Sequence, residues 1–292
     1  MLRVFLAYNK GMRKILLLTV FLFPIWGFAV APVVTIFPNN VMQGEPIKVV
    51  VENISGVAEV RKISFDGKPV SIFLYQGKPT AFVGIDLNKK PGDYKVVVTL
   101  TDGSALEKIV SVGKREKIEA SLGIPEKLGG NTKVAVKQVI SSLSQENQEI
   151  YSVRTFPKTL WTEHFQFPIP NPYVTDSYGY LRQTVGESIT HKGADFRAKE
   201  GTLVLAMNRG IVRLARTYQV YGKTIIVDHG GGLMTLYMHL SKIKVNEGEL
   251  VKQAQLLGLS GQTGYAENPH LHISVWIDKV SVDPMKFMAL FR

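Results

Sequence analysis

Hydrophobic residues follow three regimes along this chain. From 32 to 115 they come in short runs rich in Val, Ile and Phe: Val33–Phe37, Ile47–Glu52, Val70–Tyr75, Thr80–Asp86, Tyr94–Thr101 and Ala105–Val112. Pro38-Asn39-Asn40, Asp66-Gly67, Pro91-Gly92 and Asp102-Gly103-Ser104 punctuate them. Such spacing predicts a small antiparallel sandwich of immunoglobulin-like type. This stretch has no histidine, and it reads as a spacer or targeting module. From 116 to 165 the chain is more polar. Asn131 to about Gln148 predicts one amphipathic helix, with Val134, Val136, Ile140 and Leu143 near one side. It belongs to a linker, and Trp161, Phe165 and Phe167 are expected to pack at its end.

From 166 to 292 the pattern is strand and glycine turn. In Met234–Leu240, Met234, Leu236, Met238 and Leu240 alternate with Thr235, Tyr237 and His239. In His270–Ile277, Leu271, Ile273, Val275 and Ile277 alternate with His270, His272, Ser274 and Trp276. A period of two sends alternate side chains to opposite faces. Each strand is therefore expected to bury its apolar side and present its histidines to a cleft. The fold expected is predominantly all-β: an N-terminal sandwich over 32–115, a partly helical linker over 116–165, and a C-terminal antiparallel sheet domain over 166–292.

The first residues change the picture of location. Arg13 and Lys14 precede an apolar run from Ile15 to about Ala31, with small residues at Gly27, Ala29 and Ala31. This is the layout of a secretory signal; the run is short for a span of ~20 apolar residues, and Pro24 interrupts it. Residues 1–31 are expected to be an export signal, placing the protein in the periplasm or cell envelope. Membrane contact is then confined to that segment before cleavage. The formal charge of +11 falls to +7 without the four cations of residues 1–31. A basic exported chain suits an anionic surface such as cell wall, and export removes it from nucleic acid. With no cysteine in the sequence, disulfides, thiolate metal sites and a cysteine nucleophile are excluded.

Five of the six histidines lie between 191 and 272. In His270-Leu271-His272 both imidazoles leave one side of a strand, their Cα atoms ~6–7 Å apart. His191 and Asp195 are four residues apart, and Gly193 between them favours a loop entering a strand over a helix. Two histidines and an aspartate supply three ligands to one cation and leave a position open, as in a catalytic zinc site. Spacing alone leaves open which of His270 and His272 binds metal. His239 and the remaining histidine are then candidates to move protons or steady an oxyanion.

These residues also resemble a known family. His191–Phe196 (HKGADF), Gly210-Ile211-Val212, Tyr221–Leu240, the glycine-punctuated Val245–Gly264 and Asn268–Ile273 (NPHLHI) are similar, in order and separation, to the lysostaphin-like (LytM-type) peptidoglycan metallo-endopeptidases. The resemblance covers about 125 residues at the C-terminus. It implies one zinc per chain held by His191, Asp195 and His272, with His239 and His270 as the non-ligand catalytic pair. It implies peptidoglycan stem peptides as the partner, and the chain is expected to be a monomer. Departures are Asn268 where the family often has Gly, Ile273 where it has Phe, and an altered arginine spacing in Ser177–Arg182. These bear on substrate preference, since no ligand or catalytic position is missing.

Tyr237, Asn268, Tyr178 and Arg182 are candidate substrate contacts, and packing is the competing role for Tyr237. His229 and His164 are expected to be structural. The excess of basic residues favours D-alanyl–diaminopimelate cross-links, rich in carboxylates, over neutral glycine bridges. Arg182 and Lys192 are candidates to pair with a stem carboxylate. The alternatives are a glycyl-glycine endopeptidase and a non-catalytic wall-binding regulator. Val245–Gly258 also resembles half of a biotinyl or lipoyl carrier domain, but that reading leaves the aligned histidines unexplained.

Overall fold

The structure is a computed structural model that describes residues 30–121, 123–183 and 187–291; every element named below lies within them. The expected export signal lies outside these residues, apart from Val30 and Ala31. Among the described residues no helix is long and apolar enough to cross a membrane. Among the described residues strands predominate, with two α-helices, Lys133–Ser152 and Pro284–Ala289.

Near the N-terminus, Val33–Phe37, Pro46–Glu52, Lys78–Gly84 and Phe73–Tyr75 form a four-stranded sheet. A five-stranded sheet contains Asn40–Met42, Ala105–Gly113, Gly92–Leu100, Val60–Phe65 and Lys68–Pro69. Their alternating apolar residues share one core, including Ile47, Val49, Val51, Ile63, Ile85, Val96, Val98 and Val110. Each such side chain contributes about 1.5–3 kcal/mol relative to exposure. Val60–Phe65 was not expected from the sequence. Its register with Gly92–Leu100 shifts between Val60 and Lys62, and the adjacent Arg61-Lys62 disguises the alternation.

The helix spans Lys133–Ser152, two to four residues off the predicted bounds at either end. Thr132 caps it, accepting the Ala135 N–H on its hydroxyl at 3.2 Å, which satisfies one of the free donors of the first turn. Ala135, Val136, Val139 and Ile150 are buried. Val134 points to solvent instead, at 76% exposure. Buried Glu146 ties the helix to the segment before Lys223–Gly230 by accepting the Val220 and Tyr221 N–H groups at 2.8 and 3.0 Å.

The C-terminal sheet runs in the order Val174–Asp176, Ala194–Arg197, His270–Ile277, Leu233–Leu240, Lys223–Gly230, Gly210–Thr217, Leu250–Val251, with Val280–Val282 paired to His270–Ile277. Both faces of its centre are covered. Leu233, Tyr237, Leu271, Ile273, Val275 and Ile277 enter the main core. Met234, Leu236, Met238 and Trp276 pack on the other face with Leu214, Ile226 and Ile150 of the helix.

This overturns the expected facing of Met234–Leu240. Met238 stands opposite His272 and Leu236 opposite Ser274, so the apolar set shares the histidine face. Tyr237 stands opposite Ile273, on the core side. Pro32–Arg292 forms one compact unit. Phe73, Tyr75 and Phe82 from the N-terminal sheet join the same core as Trp161, Phe165 and Phe287, and Phe167 packs against it partly buried.

Candidate functional site

Strand register builds the first half of the site. Ala194–Arg197 pairs antiparallel with His270–Ile277 so that Asp195 faces His272 and Arg197 faces His270. Residues directly opposite share a face, so all four project together. His191 enters from the preceding loop, anchored by its N–H donating to Tyr180 O at 2.8 Å. Gly193 makes the approach possible. A Cβ there would lie 2.2 Å from His272 Nε2 and 2.5 Å from Ile273 O, so any other residue would push the two strands apart.

His239 arrives by a different device. The pairing of Leu233–Leu240 with Lys223–Gly230 slips between Ile225 and Lys223, leaving Met238 and His239 opposite Thr224. His239 takes a left-handed backbone with φ of 60°. An extra residue of this kind re-aims the side chain that follows. Alternation alone would send His239 to the core with Tyr237. The bulge turns it to the cleft, 4.8 Å from His270 and 5.9 Å from His272 between ring centroids.

His191, Asp195 and His272 converge: one donor atom from each lies within 4.8 Å of the others, and all three are buried. Asp195 Oδ1 is 3.1 Å from His191 Nε2 and 2.7 Å from His272 Nδ1, and those two nitrogens are 3.0 Å apart. The surroundings fix the tautomers. His191 Nδ1 meets the Ser177 carbonyl at 2.9 Å, which only accepts, so its proton sits on Nδ1. His272 Nε2 lies 3.0 Å from Ser274 Oγ, whose own proton goes to Lys192 O at 2.8 Å. Ser274 therefore accepts, and His272 Nδ1 carries a lone pair. Two nitrogen lone pairs and a carboxylate oxygen thus point at one place, where only a cation relieves their repulsion. This donor set fits zinc.

Burial pushes His272 down to about 4 against the opposing pull of Asp195, keeping it neutral as a ligand must be. Burial works against the Asp195 carboxylate, yet the carboxyl is held well below its usual range, with the Arg182 guanidinium 2.5 Å from Oδ2.

The two remaining histidines are held alike. His239 Nδ1 donates to Thr263 O at 2.9 Å and His270 Nδ1 to Asn268 O at 2.8 Å. Each keeps a lone pair on Nε2, and His270 Nε2 is 3.7 Å from Asp195 Oδ1. Burial, with His270 and His272 nearby, holds His239 well below the ordinary imidazole range. A neutral imidazole with its second proton fixed by a carbonyl can accept a proton from water.

Two of the expected substrate contacts, Tyr237 and Tyr178, are placed elsewhere, and a third, Arg182, is otherwise engaged. Tyr237 is fully buried; its hydroxyl accepts the Met207 N–H at 2.9 Å and lies 3.0 Å from Thr235 Oγ1. Tyr178 is buried, donating to Ser281 O at 2.8 Å beneath the Arg115 guanidinium. Arg182 borders the cleft but is already paired, reaching Asp176 and Asp195 Oδ2 at 2.5 Å each. It therefore holds the aspartate and is not free for a stem carboxylate. Asn268 does line a cavity beside the site, with Arg197, Glu267 and His270.

A second cavity, of about 340 Å³, flanks the other side and is walled by Met238, Trp276, Tyr221 and, from the helix, Leu143 and Tyr151. Sequence reasoning missed Asp176, Arg197 and this helical wall. Ser274 could have been found, since it shares the polar set of His270–Ile277. His229 is buried in a structural role, as expected, with Nδ1 to Arg209 O at 2.8 Å and Nε2 to Thr235 Oγ1 at 2.8 Å. His164 contacts Tyr75 away from the cleft.

Residues 189–284 match the model of peptidase family M23. A peptidoglycan DD-endopeptidase of Vibrio cholerae, ShyA, is 40% identical over 96 residues, which are 33% of this chain and 22% of that protein. A glycyl-glycine endopeptidase of Staphylococcus capitis, ALE-1, is 38% identical over 118 residues, 38% of this chain and 33% of that one. This chain thus spans a third or less of the length of these curated relatives. The crystal structure of a peptidase M23 from Pseudomonas aeruginosa is alike over far more: 30% identity, 86% of this chain, 96% of that one, and a TM-score of 0.61. On the strength of that near-complete match, with the family model lying across the histidine site, the chain belongs to peptidase family M23 and is a metallopeptidase.

Proposed function

We propose that the protein is an exported, monomeric endopeptidase that hydrolyses peptide cross-links of bacterial peptidoglycan with one zinc ion per chain. His191 Nε2, Asp195 Oδ1 and His272 Nδ1 would hold the ion. The observation that carries this reading is the convergence of those three donors beside two further imidazoles with free Nε2 lone pairs. Zinc in such a site supplies Lewis acidity to the scissile carbonyl and makes water a better nucleophile at neutral pH.

The chain's own residues do the rest. Ser177 O and Ser274 Oγ fix the tautomers of the two ligand histidines. Arg182 engages Oδ2 of Asp195 and leaves Oδ1 for the metal. One of His239 and His270 takes a proton from the attacking water. The other hydrogen-bonds the developing oxyanion and then helps protonate the leaving amine. The cavities on either side give the peptide room to run through.

D-Alanyl–diaminopimelate links are the proposed bond. The basic balance of the chain and the likeness to ShyA support it; Arg182, paired as it is, does not. The test is digestion of purified walls of both chemotypes at equal concentration, with mass analysis of the products. Release of peptides split at the D-alanyl–diaminopimelate amide is expected. Faster cleavage of glycine bridges would overturn the bond assignment, and no cleavage of either wall by the zinc-loaded chain would overturn the function.

A further inference from the structure

One cation in the cleft is not used by the hydrolysis described above. Arg197 ends the strand Ala194–Arg197, two residues beyond Asp195, and so leaves the same face. It stands directly across from His270, as Asp195 stands across from His272. It therefore sits one strand step, ~6–7 Å, further along the cleft than the metal donors. Its guanidinium lies over the ring of Tyr173, 4.3 Å from the centroid, and both residues are exposed. Among the described residues it makes no ion pair. Arg182, in the same cavity, is committed to Asp176 and Asp195. Glu267 also lines this cavity without pairing to Arg197.

A guanidinium held by an aromatic face keeps its hydrogen-bonding fork open for a carboxylate. In a D-alanyl–diaminopimelate link, the carbon attached to the scissile amide nitrogen also bears a carboxylate. With the scissile carbonyl at the metal donors, that carboxylate lies roughly 4–5 Å further along the chain by ordinary bond lengths. The step of ~6–7 Å from Asp195 to Arg197 exceeds that offset by about 2 Å, a gap that a guanidinium–carboxylate hydrogen bond of about 2.8 Å spans. A glycine bridge has no charged group at that position.

We infer that Arg197 is a substrate-binding residue that recognises the carboxylate next to the scissile amide nitrogen. It selects diaminopimelate-type links over those whose carboxylate is amidated or missing. This rests on the peptidoglycan reading above. The test uses the full zinc-loaded chain and two D-alanyl–diaminopimelate muropeptide dimers that differ only in whether that carboxylate is free or amidated. Zinc content is measured in every variant. The unaltered chain should favour the free carboxylate by about tenfold in kcat/KM, chiefly through KM, as a charge-assisted pair would give. Arg197→Gln should bring the ratio close to one with zinc retained, and Arg197→Lys should keep part of the preference. An Arg197→Gln ratio equal to that of the unaltered chain overturns the inference, as does a ratio near one in the unaltered chain; both leave the bond assignment standing. Failure of the unaltered chain to cut either dimer while it cuts glycine bridges overturns the bond assignment, and this inference falls with it.

Discussion

His272 and His239 sit on neighbouring strands, yet the groups that hold them give them different work. Ser274 occupies Nε2 of His272 and turns its Nδ1 toward Asp195. Thr263 O occupies Nδ1 of His239 and leaves Nε2 free. Replacing His272 by Ala should therefore remove most of the zinc, because two ligands hold the ion poorly. His239→Ala or His270→Ala should retain zinc and lose ~10²–10⁴ in kcat, the usual worth of a placed acid or base. Metal analysis beside single-turnover rates checks both; full zinc in His272→Ala would undo the ligand assignment. His229 makes a contrasting prediction. Burial pushes it down to about 4 from 6.5, so below 6.5 the unfolded chain takes up a proton that the folded chain refuses. Its contribution to stability is complete above pH 6.5 and is lost as pH falls toward 4, on the order of 3 kcal/mol in all. Urea unfolding at pH 7, 5 and 4 should show the gap between the unaltered chain and His229→Asn narrowing with acid; parallel slopes would contradict it. The period of two in His270–Ile277 made legible that His270 and His272 share a face, but that His272 is the one opposite Asp195 follows only from the strand register. Tyr178 and Arg182 were misread because their partners, Ser281 for one and Asp176 with Asp195 for the other, meet them only once the chain has folded.

At the scale of elements, the decisive feature is the bulge at Met238-His239. The sequence assigns Tyr237 and His239 to one face, and a regular strand would have kept them there. The inserted residue and the left-handed His239 separate them, and no residue type in Leu233–Leu240 announces it. The helix was legible in kind, but its role was not. Its cap and apolar spacing are local, whereas the cavity it walls depends on where Val220 and Tyr221 lie. Glu146 sets that placement, accepting both N–H groups; Tyr221 O in turn receives the His239 N–H at 3.1 Å. Glu146→Ala would strand two donors and should cost about 2–4 kcal/mol, with buried groups left unpaired at ~1–3 kcal/mol each. Glu146→Gln can satisfy only one of the donors and should fall between. Because the same loop supports His239, Glu146→Ala should also lower kcat more than it raises KM. Chemical denaturation together with steady-state kinetics checks this, and an unchanged stability would show that water or another group satisfies the loop.

For the molecule as a whole, the N-terminal sheets and the peptidase sheet are not beads on a string. Phe73, Tyr75 and Phe82 pack with Trp161, Phe165 and Phe287 in a shared core, and Phe82 stacks on Trp161 with an interplanar angle of 2°. Beside this core lies a polar clasp. Arg115 donates to Gln43 O at 2.7 Å and to Asp283 Oδ2 at 3.1 Å, and Glu45 Oε1 lies 3.5 Å away. The same guanidinium covers the ring of Tyr178, whose backbone leads to His191 through Gly179 N donating to His191 O at 2.8 Å. The clasp therefore joins the N-terminal sheets to the loop that presents His191. The sequence offered no hint of it, since Gln43, Arg115, Tyr178 and Asp283 are spread across the chain. Two consequences distinguish this arrangement from independent domains. Thermal unfolding of Pro32–Arg292 should be a single cooperative transition. Arg115→Ala removes the guanidinium from Asp283, which keeps the Met285 N–H, and from Glu45, which keeps Lys286 and the Met42 N–H; it should cost about 1–3 kcal/mol and lower the midpoint of that one transition without splitting it. It should also weaken zinc binding, because Tyr178 and the hairpin that seats His191 lose their cover. Calorimetry that resolves two separate transitions, with Arg115→Ala moving only the one that belongs to the N-terminal sheets, would show that the peptidase sheet does not depend on them.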